Sequence, residues 1–411
     1  MLAVGTVAGA YLLTRILRNS VGVIASDLEE AFHLTATQTG VMSGAFFLAY
    51  AAAQIPASIV IARAGAAPVL CGGAVLMGLG TMFFSAGQTY PELLAARAVL
   101  GLGASPFFVG SMTILMSLVP PERFAMASGA QLATGRLGTM LATAPLAFVV
   151  DRMGWRGTFV GLAAACAALA AGLALGMLRR RAERDAKRQS WSDIRSGFAA
   201  LFRMGAFLRL PALYGTSVAV GITLLGAWGG PWLSNVYQLG LVARGAALLP
   251  MGVTFAAGAI LWGSLARLAG GHRLPVRIGA LLTAALLLLA ALVPLPRWTV
   301  VAWLAALGLT TSFAPLVLAQ AKAVLPGPVA VEGVSLLNVL AMVIAFALPT
   351  LSGVVVDRFG GMPGHHPPEA FRAIFALLAG ALLAALVPYW GSVDPTPGGP
   401  ATTGHHHPHE G

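Results

Sequence analysis

The chain has 411 residues, of which 58% are hydrophobic and only 9% charged, and its mean hydropathy is +0.83. Soluble domains carry about 25% charged residues, so a water-soluble fold would be a core without a surface, and that class is excluded. The formal net charge of +11 sits in short loops between apolar runs and not along a groove, which excludes a nucleic-acid partner and fits the basic loops of a membrane protein.

Twelve apolar segments follow in order, at 2–25, 38–62, 67–87, 91–118, 125–150, 156–178, 207–232, 244–266, 275–295, 298–322, 331–356 and 369–391. Each can cross a hydrocarbon core of about 30 Å, which takes about 20 helical residues. They are continuously apolar, without the alternation of barrel strands, so they are expected to be helices. The first segment lacks a basic flank and continues into a full span, which does not fit a cleavable signal. Cys71 and Cys166 lie in apolar runs and read as small core residues, with no disulfide framework.

Between the sixth and seventh segments stands Arg179-Arg180-Arg181-Ala182-Glu183-Arg184-Asp185-Ala186-Lys187-Arg188, too charged to enter a bilayer. It divides the chain into an N-terminal six-helix half (1–178), a basic cytoplasmic connector (179–206), a C-terminal six-helix half (207–391) and a disordered cytoplasmic tail (392–411). The other loop cations on the connector's side include Arg63, Arg123, Arg267, Arg273, Arg277 and Lys322. The opposite side has only Arg152, Arg156, Arg244, Arg297, Arg358 and Arg372. This imbalance places both termini and the connector in the cytoplasm, with the chain in a cell (inner) membrane.

The halves echo one another. Val149-Val150-Asp151-Arg152-Met153-Gly154 returns as Val355-Val356-Asp357-Arg358-Phe359-Gly360, an offset of 206 residues (149 to 355). Leu28, Phe32, Leu34 and Gly40 are matched by Leu233, Tyr237, Leu239 and Gly245 at an offset of 205 (28 to 233). Trp155-Arg156-Gly157-Thr158-Phe159 is echoed by Phe371-Arg372-Ala373-Ile374-Phe375 after a longer insert. Shared offsets point to duplication, the outline of a secondary transporter with its site between two parallel halves.

Further stretches carry a family resemblance. Gln54-Ile55-Pro56 is followed by Arg63-Ala64-Gly65. Arg97-Ala98-Val99-Leu100-Gly101-Leu102-Gly103 follows an R-x-x-x-G-x-G pattern. Thr134-Gly135-Arg136-Leu137-Gly138 precedes Pro145, and Gly154-Trp155-Arg156 precedes Phe159. In this order and spacing the chain resembles the major facilitator superfamily over nearly all its length. The resemblance implies an all-α membrane protein of twelve transmembrane helices in two pseudo-symmetric six-helix bundles, working by alternating access around a midplane cavity. It also implies coupling or gating roles for Arg63, Arg97, Gly101, Gly103 and Pro145. One departure concerns the gate. The family usually has an acidic residue before the loop Arg, where this chain has Ala62, and the region around Arg267 and Gly270 also lacks it.

Charges placed well inside the spans are all basic: Arg15, Arg18, Arg97 and Arg136. Asp27 and Glu332 are the acidic residues nearest a span. Burying an ionisable group in lipid costs several kcal/mol or more, so such residues face polar cavities and carry function by default. Arg18, between Leu17 and Asn19-Ser20, is the leading substrate contact, a guanidinium able to bind carboxylate or phosphate through two hydrogen bonds. Its counterpart in the second half is Thr223, so the site is expected to be asymmetric. Arg15, one turn earlier, either shares the anion or snorkels to the cytoplasmic face. Arg97 either serves coupling or cavity charge, or packs helices together with Gly101 and Gly103. Arg136 either binds anion or braces the halves.

Trp228, in Trp228-Gly229-Gly230-Pro231-Trp232 where Gly and Pro break the helix, reads either as a substrate contact at an outer gate or as part of an interfacial aromatic belt. Asn338 and Gln131 are polar groups in apolar helices, either lining the cavity or hydrogen-bonding between helices. His405-His406-His407-Pro408-His409 is a terminal tract, and no metal site or cofactor is assigned. No Walker-type loop suggests ATP use, and no nucleophile–base pair lies within the spans, so no enzyme is expected. The reading is a secondary transporter, a monomer in the lipid bilayer, for a small organic anion, with a proton as the coupling ion under consideration. Its rivals are efflux of neutral or amphipathic compounds and a transporter-like membrane sensor.

Overall fold

The computed structural model describes residues 2–178, 201, 204–325, 327–392 and 394. Most of the predicted connector and tail, including the terminal histidines, lies outside the described residues. Of the tail, Ser392 and Asp394 are described. Asp394 accepts hydrogen bonds from the backbone N–H groups of His272 and Arg273 and so covers the start of the Arg273–Leu292 helix.

Lipid offers the backbone no hydrogen-bond partner, so each apolar segment satisfies its own N–H and C=O groups as helix. Ten helical segments among the described residues are long and apolar enough to cross a membrane, and the chain is a multi-pass, all-α membrane protein. Two further rods fall where the first and fifth spans are predicted. One is Leu2–Asn19 with Val21–Phe32, and the other is Pro121–Leu141. Their hydropathy is lowered by the arginines and amides they carry, which are the residues of functional interest.

Several rods are interrupted where the sequence breaks helix. The first parts at Ser20. The fourth divides into Tyr90–Ala104 and Phe107–Leu118 around Pro106, and the tenth into Val300–Thr311 and Ala314–Val324 beside Pro315. Pro145 lies at the first turn of Ala144–Leu178, just after the Pro121–Leu141 helix ends, where a missing N–H is tolerated. The seventh rod behaves differently from expectation. Trp228-Gly229-Gly230-Pro231-Trp232 does not end it. The chain makes a π-helical bulge at Leu224–Trp228 and resumes as Gly229–Tyr237. A π-bulge admits the extra residue without losing the helix axis, and Pro231 follows in the first turn of the new stretch, where it costs no hydrogen bond.

The duplication predicted from sequence reappears in the backbone. His33 and Gln238 both close a helix in the left-handed conformation, at φ 50° and 54°. Gly65 and Gly270 turn at φ 85° and 64°, and Gly154 and Gly360 at φ 71° and 69°. These pairs keep the offsets of 205 and 206 seen in the sequence. The two echoed arginines also do one job. Arg156 Nη1 donates to the Ser85 and Gly87 carbonyls at 2.6 and 2.8 Å, at the end of the Ala66–Ala86 helix. Arg372 Nε and Nη2 donate to the Ala291 and Leu292 carbonyls at 2.7 and 2.8 Å, at the end of Arg273–Leu292. A cation over the last carbonyls of a helix satisfies orphan acceptors and opposes the dipole.

The halves meet most closely at the end of the bundle away from the described termini, called here the distal end. The Ala36–Ala64 helix packs along Gly327–Asp357. A methyl group on Gly40 would stand 2.3 Å from the Pro349 carbonyl oxygen, and one on Gly353 2.3 Å from that of Ala36. Asp357 accepts from the Ala36 and Thr37 N–H groups at 2.9 and 3.0 Å, so an acid of the second half covers a helix N-terminus of the first.

The paired helix-end contacts make a matched prediction. Arg156→Ala and Arg372→Ala should each destabilise the protein by ~1.5–3 kcal/mol, the range for hydrogen bonds to a charged donor. Thermal melts in detergent should show similar falls in Tm, and a fall in only one variant would contradict the equivalence.

Candidate functional site

The break at Ser20 creates the site. When the Leu2–Asn19 helix stops, its last carbonyls lose their intrahelical donors. Arg97, from the Tyr90–Ala104 helix, supplies replacements. Its Nη1 donates to Leu17 O at 2.9 Å, Nη2 to Arg18 O at 3.4 Å, and Nε to Met42 O at 3.4 Å. Its guanidinium lies 5.1 Å from the Phe46 ring centroid, and the residue is 0% exposed. Ser20 Oγ adds a hydrogen bond to Leu17 O, and Asn19 Nδ2 one to Arg15 O.

Arg97 can come this close because its helix is tightly seated. A methyl group on Gly101 would stand 2.2 Å from Phe46 O, and one on Gly103 2.6 Å from Met77 N. These two glycines therefore set the approach of the fourth rod to the second and third.

Arg18 is presented by that fixed backbone. Its guanidinium stacks 4.7 Å from the centroid of Phe47 and donates no hydrogen bond to a protein acceptor among the described residues. Arg15 donates to the Tyr11 hydroxyl and lies over that ring. Arg136, from Pro121–Leu141, lies 4.1 Å from the centroid of Phe255 in the Leu241–Leu268 helix of the other half. All three are half-buried, and each lies within electrostatic reach of the others or of Tyr11, Tyr50 and Tyr214. Among the described residues none of them forms an ion pair with a carboxylate.

Elements of both halves close this group. Asn338 Nδ2 donates to Gln54 Oε1 at 2.8 Å between the Gly327–Asp357 and Ala36–Ala64 helices, and Asn338 lies beside Tyr50. Guanidiniums stacked on aromatic faces keep their N–H edges free, and each such stack is worth about 0.5–2 kcal/mol. Three positive charges without carboxylates repel one another. A bound anion removes that repulsion and gains about 4 kcal/mol of attraction per charge at 4 Å in an effective dielectric near 20.

The structure brings Arg18, Arg136 and Asn338 together and adds Arg15, Tyr11, Tyr50, Tyr214, Phe47 and Phe255. Gln131 is buried with its Nε2 unpartnered. Trp228 lies elsewhere. It is buried in the distal closure, its Nε1 donating to Pro349 O at 3.3 Å. Arg63 is exposed at the end of its helix. Two features escaped the sequence reading. The tyrosines and Phe47 carry no signal among so many apolar residues. Glu29 lies beyond the first predicted segment (2–25), but the first rod runs on to Phe32 and buries it completely.

A family model described as Major Facilitator Superfamily matches residues 7–296. A candidate tartrate transporter of Agrobacterium vitis is 25% identical over 384 residues, covering 86% of each chain. A candidate multidrug resistance protein, MdtD, of Serratia proteamaculans is 32% identical over 137 residues, 32% of this chain and 28% of that one. Among solved structures, a bacterial homolog of the human lysosomal transporter Spinster, inward-facing and unoccupied, superposes with a TM-score of 0.74 at 19% identity over 94% of both chains.

The different surroundings of two arginines separate their roles. Arg97→Ala should destabilise by about 3 kcal/mol, because three carbonyls lose a charged donor in a dry site. Arg18→Ala, which breaks no hydrogen bond to protein, should change stability by about 1 kcal/mol or less. Melting curves of the two purified variants check this, and equal losses would make Arg18 a structural residue.

Proposed function

We propose that this chain, which belongs to the Major Facilitator Superfamily and is a membrane transporter, carries a small organic anion by alternating access, with Arg18 as the principal substrate contact. The observation that carries this reading is the group Arg15, Arg18 and Arg136, half-buried between the halves and, among the described residues, without carboxylate partners. A preorganised positive site in a low-dielectric cavity selects anions by charge. Arg18 offers two parallel N–H groups to a carboxylate or phosphate. Arg136 and Asn338 line the same space, Tyr50 and Tyr214 offer hydroxyls to the polar groups of the ligand, and Gln131 has an unused donor in the Arg136 helix. The similarity to a candidate tartrate transporter agrees with this substrate class.

Alternating access follows from how the halves touch. Gly40, Gly353 and Asp357 hold the distal end shut, and nearer the site the Gln54–Asn338 hydrogen bond joins the halves. With termini in the cytoplasm, as the loop cations favour, the closed distal end faces outward. Rocking about the Gln54–Asn338 level would exchange the open end. Arg97, Gly101 and Gly103 keep the first bundle rigid as it moves, and Pro145 marks a joint in the fifth rod.

A second reading, efflux of amphipathic compounds, is favoured by the aromatic faces of Phe47 and Phe255 and by the partial likeness to MdtD.

Thermal stabilisation of the purified protein separates the two. A ligand at 100 times its Kd stabilises the folded state by about 2.7 kcal/mol. L-Tartrate, monocarboxylates and phosphate should raise Tm, neutral sugars should not, and the gain should vanish in Arg18→Ala. Arg18→Lys should lose most of the flux in proteoliposomes, since an ammonium cannot make the bidentate contact. Stabilisation by amphipathic drugs that survives Arg18→Ala would overturn the anion reading and establish efflux.

A further inference from the structure

Glu29 is the most buried carboxylate the structure describes, at 0% exposure, and it belongs to neither the arginine group nor the Asp357 cap. It lies in the Val21–Phe32 helix of the first half, and its partner comes from the second. His366 Nε2, in the loop before Pro368–Trp390, stands 3.0 Å from Glu29 Oε2. The other oxygen, Oε1, is buried without a partner. The His366 ring is walled by Trp228 and Phe371 at centroid distances of 6.1 and 6.3 Å. Its backbone N–H is held by Asn235 Oδ1 at 2.7 Å. The pair thus sits buried in a joint between the halves at the distal end, where Gly22 and Gly230 bring the first and seventh rods into backbone contact.

Charge bookkeeping decides what this pair must hold. The neighbouring charges are already committed. Arg244 pairs with Asp27 at 3.4 Å. His365 faces Glu30 at 4.0 Å, and both are exposed. Arg156 caps carbonyls and lies 5.8 Å from the Phe32 ring centroid. Asp357 is occupied by the Ala36 and Thr37 amides, and His33 is exposed at the helix end. Among the described residues no other cation pairs with Glu29. A carboxylate beside a neutral imidazole would leave a net negative charge in a buried joint, which is strongly unfavourable. One additional proton makes the pair neutral, whether it resides on the carboxyl or makes the imidazole cationic.

We propose that Glu29 and His366 form a proton-binding site that loads as the distal ends close and empties when they part, linking the gate to proton uptake. The inference rests on the alternating-access reading but not on the nature of the substrate. Separation exposes both groups to water, which solvates an unpaired carboxylate and removes the need for the extra proton, so the open state releases it. The closed state then binds one proton more than the open state, so rising pH favours opening, by up to about tenfold per pH unit in the open-to-closed ratio. Asp27–Arg244 and Glu30–His365 bridge the halves at the same end, and Glu29→Gln leaves both intact.

The test is a distance across the distal end as a function of pH. Spin labels replace the exposed residues in Arg152→Cys and Arg358→Cys, with Cys71→Ala and Cys166→Ala, in the full chain in detergent between pH 5 and 9. The long-distance fraction should grow with pH in this background. In Glu29→Gln, which keeps a hydrogen-bonding amide but takes up no proton, it should vary less than twofold. His366→Gln, which keeps a donor without a titrating ring, should move the midpoint by at least one pH unit, and this variant decides the matter if Glu29→Gln does not fold. Undiminished pH dependence in Glu29→Gln, or an unchanged midpoint in His366→Gln, overturns the proposal. A distance that responds to added L-tartrate or phosphate but not to pH overturns the proton site and leaves the transport reading standing. A distance that responds to neither overturns both.

Discussion

The arrangement depends on one requirement, that a helix broken inside a membrane have its freed carbonyls satisfied. The first rod stops at Asn19, and Arg97 reaches from the fourth rod to the carbonyls of Leu17 and Arg18. Lipid could not supply those hydrogen bonds. One buried charge therefore does two things at once. It makes the break tolerable, and it fixes the backbone from which Arg18 extends towards Phe47. Gly101 and Gly103 belong to the same device, because without their close packing Arg97 would not reach.

The break divides the first rod between two tasks. On one side stands Arg18, in the basic group between the halves. On the other the helix continues through Glu29, whose partner His366 belongs to the second half. A rod that is continuous in direction but jointed at Ser20 can place the proposed substrate contact and the proposed gate contact on one element. Relative movement of the halves then acts on both groups through the same backbone, the kind of bistable element through which two sites are coupled.

Duplication supplies the frame and departures from it supply the site. Gly65 and Gly270, His33 and Gln238, and Arg156 and Arg372 close equivalent turns and helix ends in equivalent ways. Where chemistry is at stake the equivalence fails. Arg18 corresponds to Thr223, whose hydroxyl is buried without a partner. Asp357 covers the start of the Ala36–Ala64 helix, whereas its counterpart Asp151 is exposed and unpaired among the described residues. Turns depend on local backbone geometry and survive duplication, while a binding site needs particular side chains at one place and is free to diverge.

The sequence by itself determined the membrane class, the segment order, the repeat and the positions of the embedded arginines. Each rests on composition, on spacing along the chain or on the cost of a charge in lipid, and all of these are local quantities. It also singled out Arg18, Arg136 and Asn338, because polar residues stand out against an apolar background. Tertiary structure alone decided which of these meet, and it sent Trp228 to the distal closure. It distinguished Arg97, which spends its donors on backbone carbonyls, from Arg18, which does not. It also recruited Tyr11, Tyr50, Tyr214, Phe47 and Phe255, aromatic residues whose role depends on the direction in which a helix face points. Glu29 shows the limit most clearly. An acid near a helix end reads as a loop residue, and only the packing of His366 from a segment 337 positions later removes it from water. Burial is a property of the assembled bundle, set by contacts between distant segments, and no stretch of chain contains it.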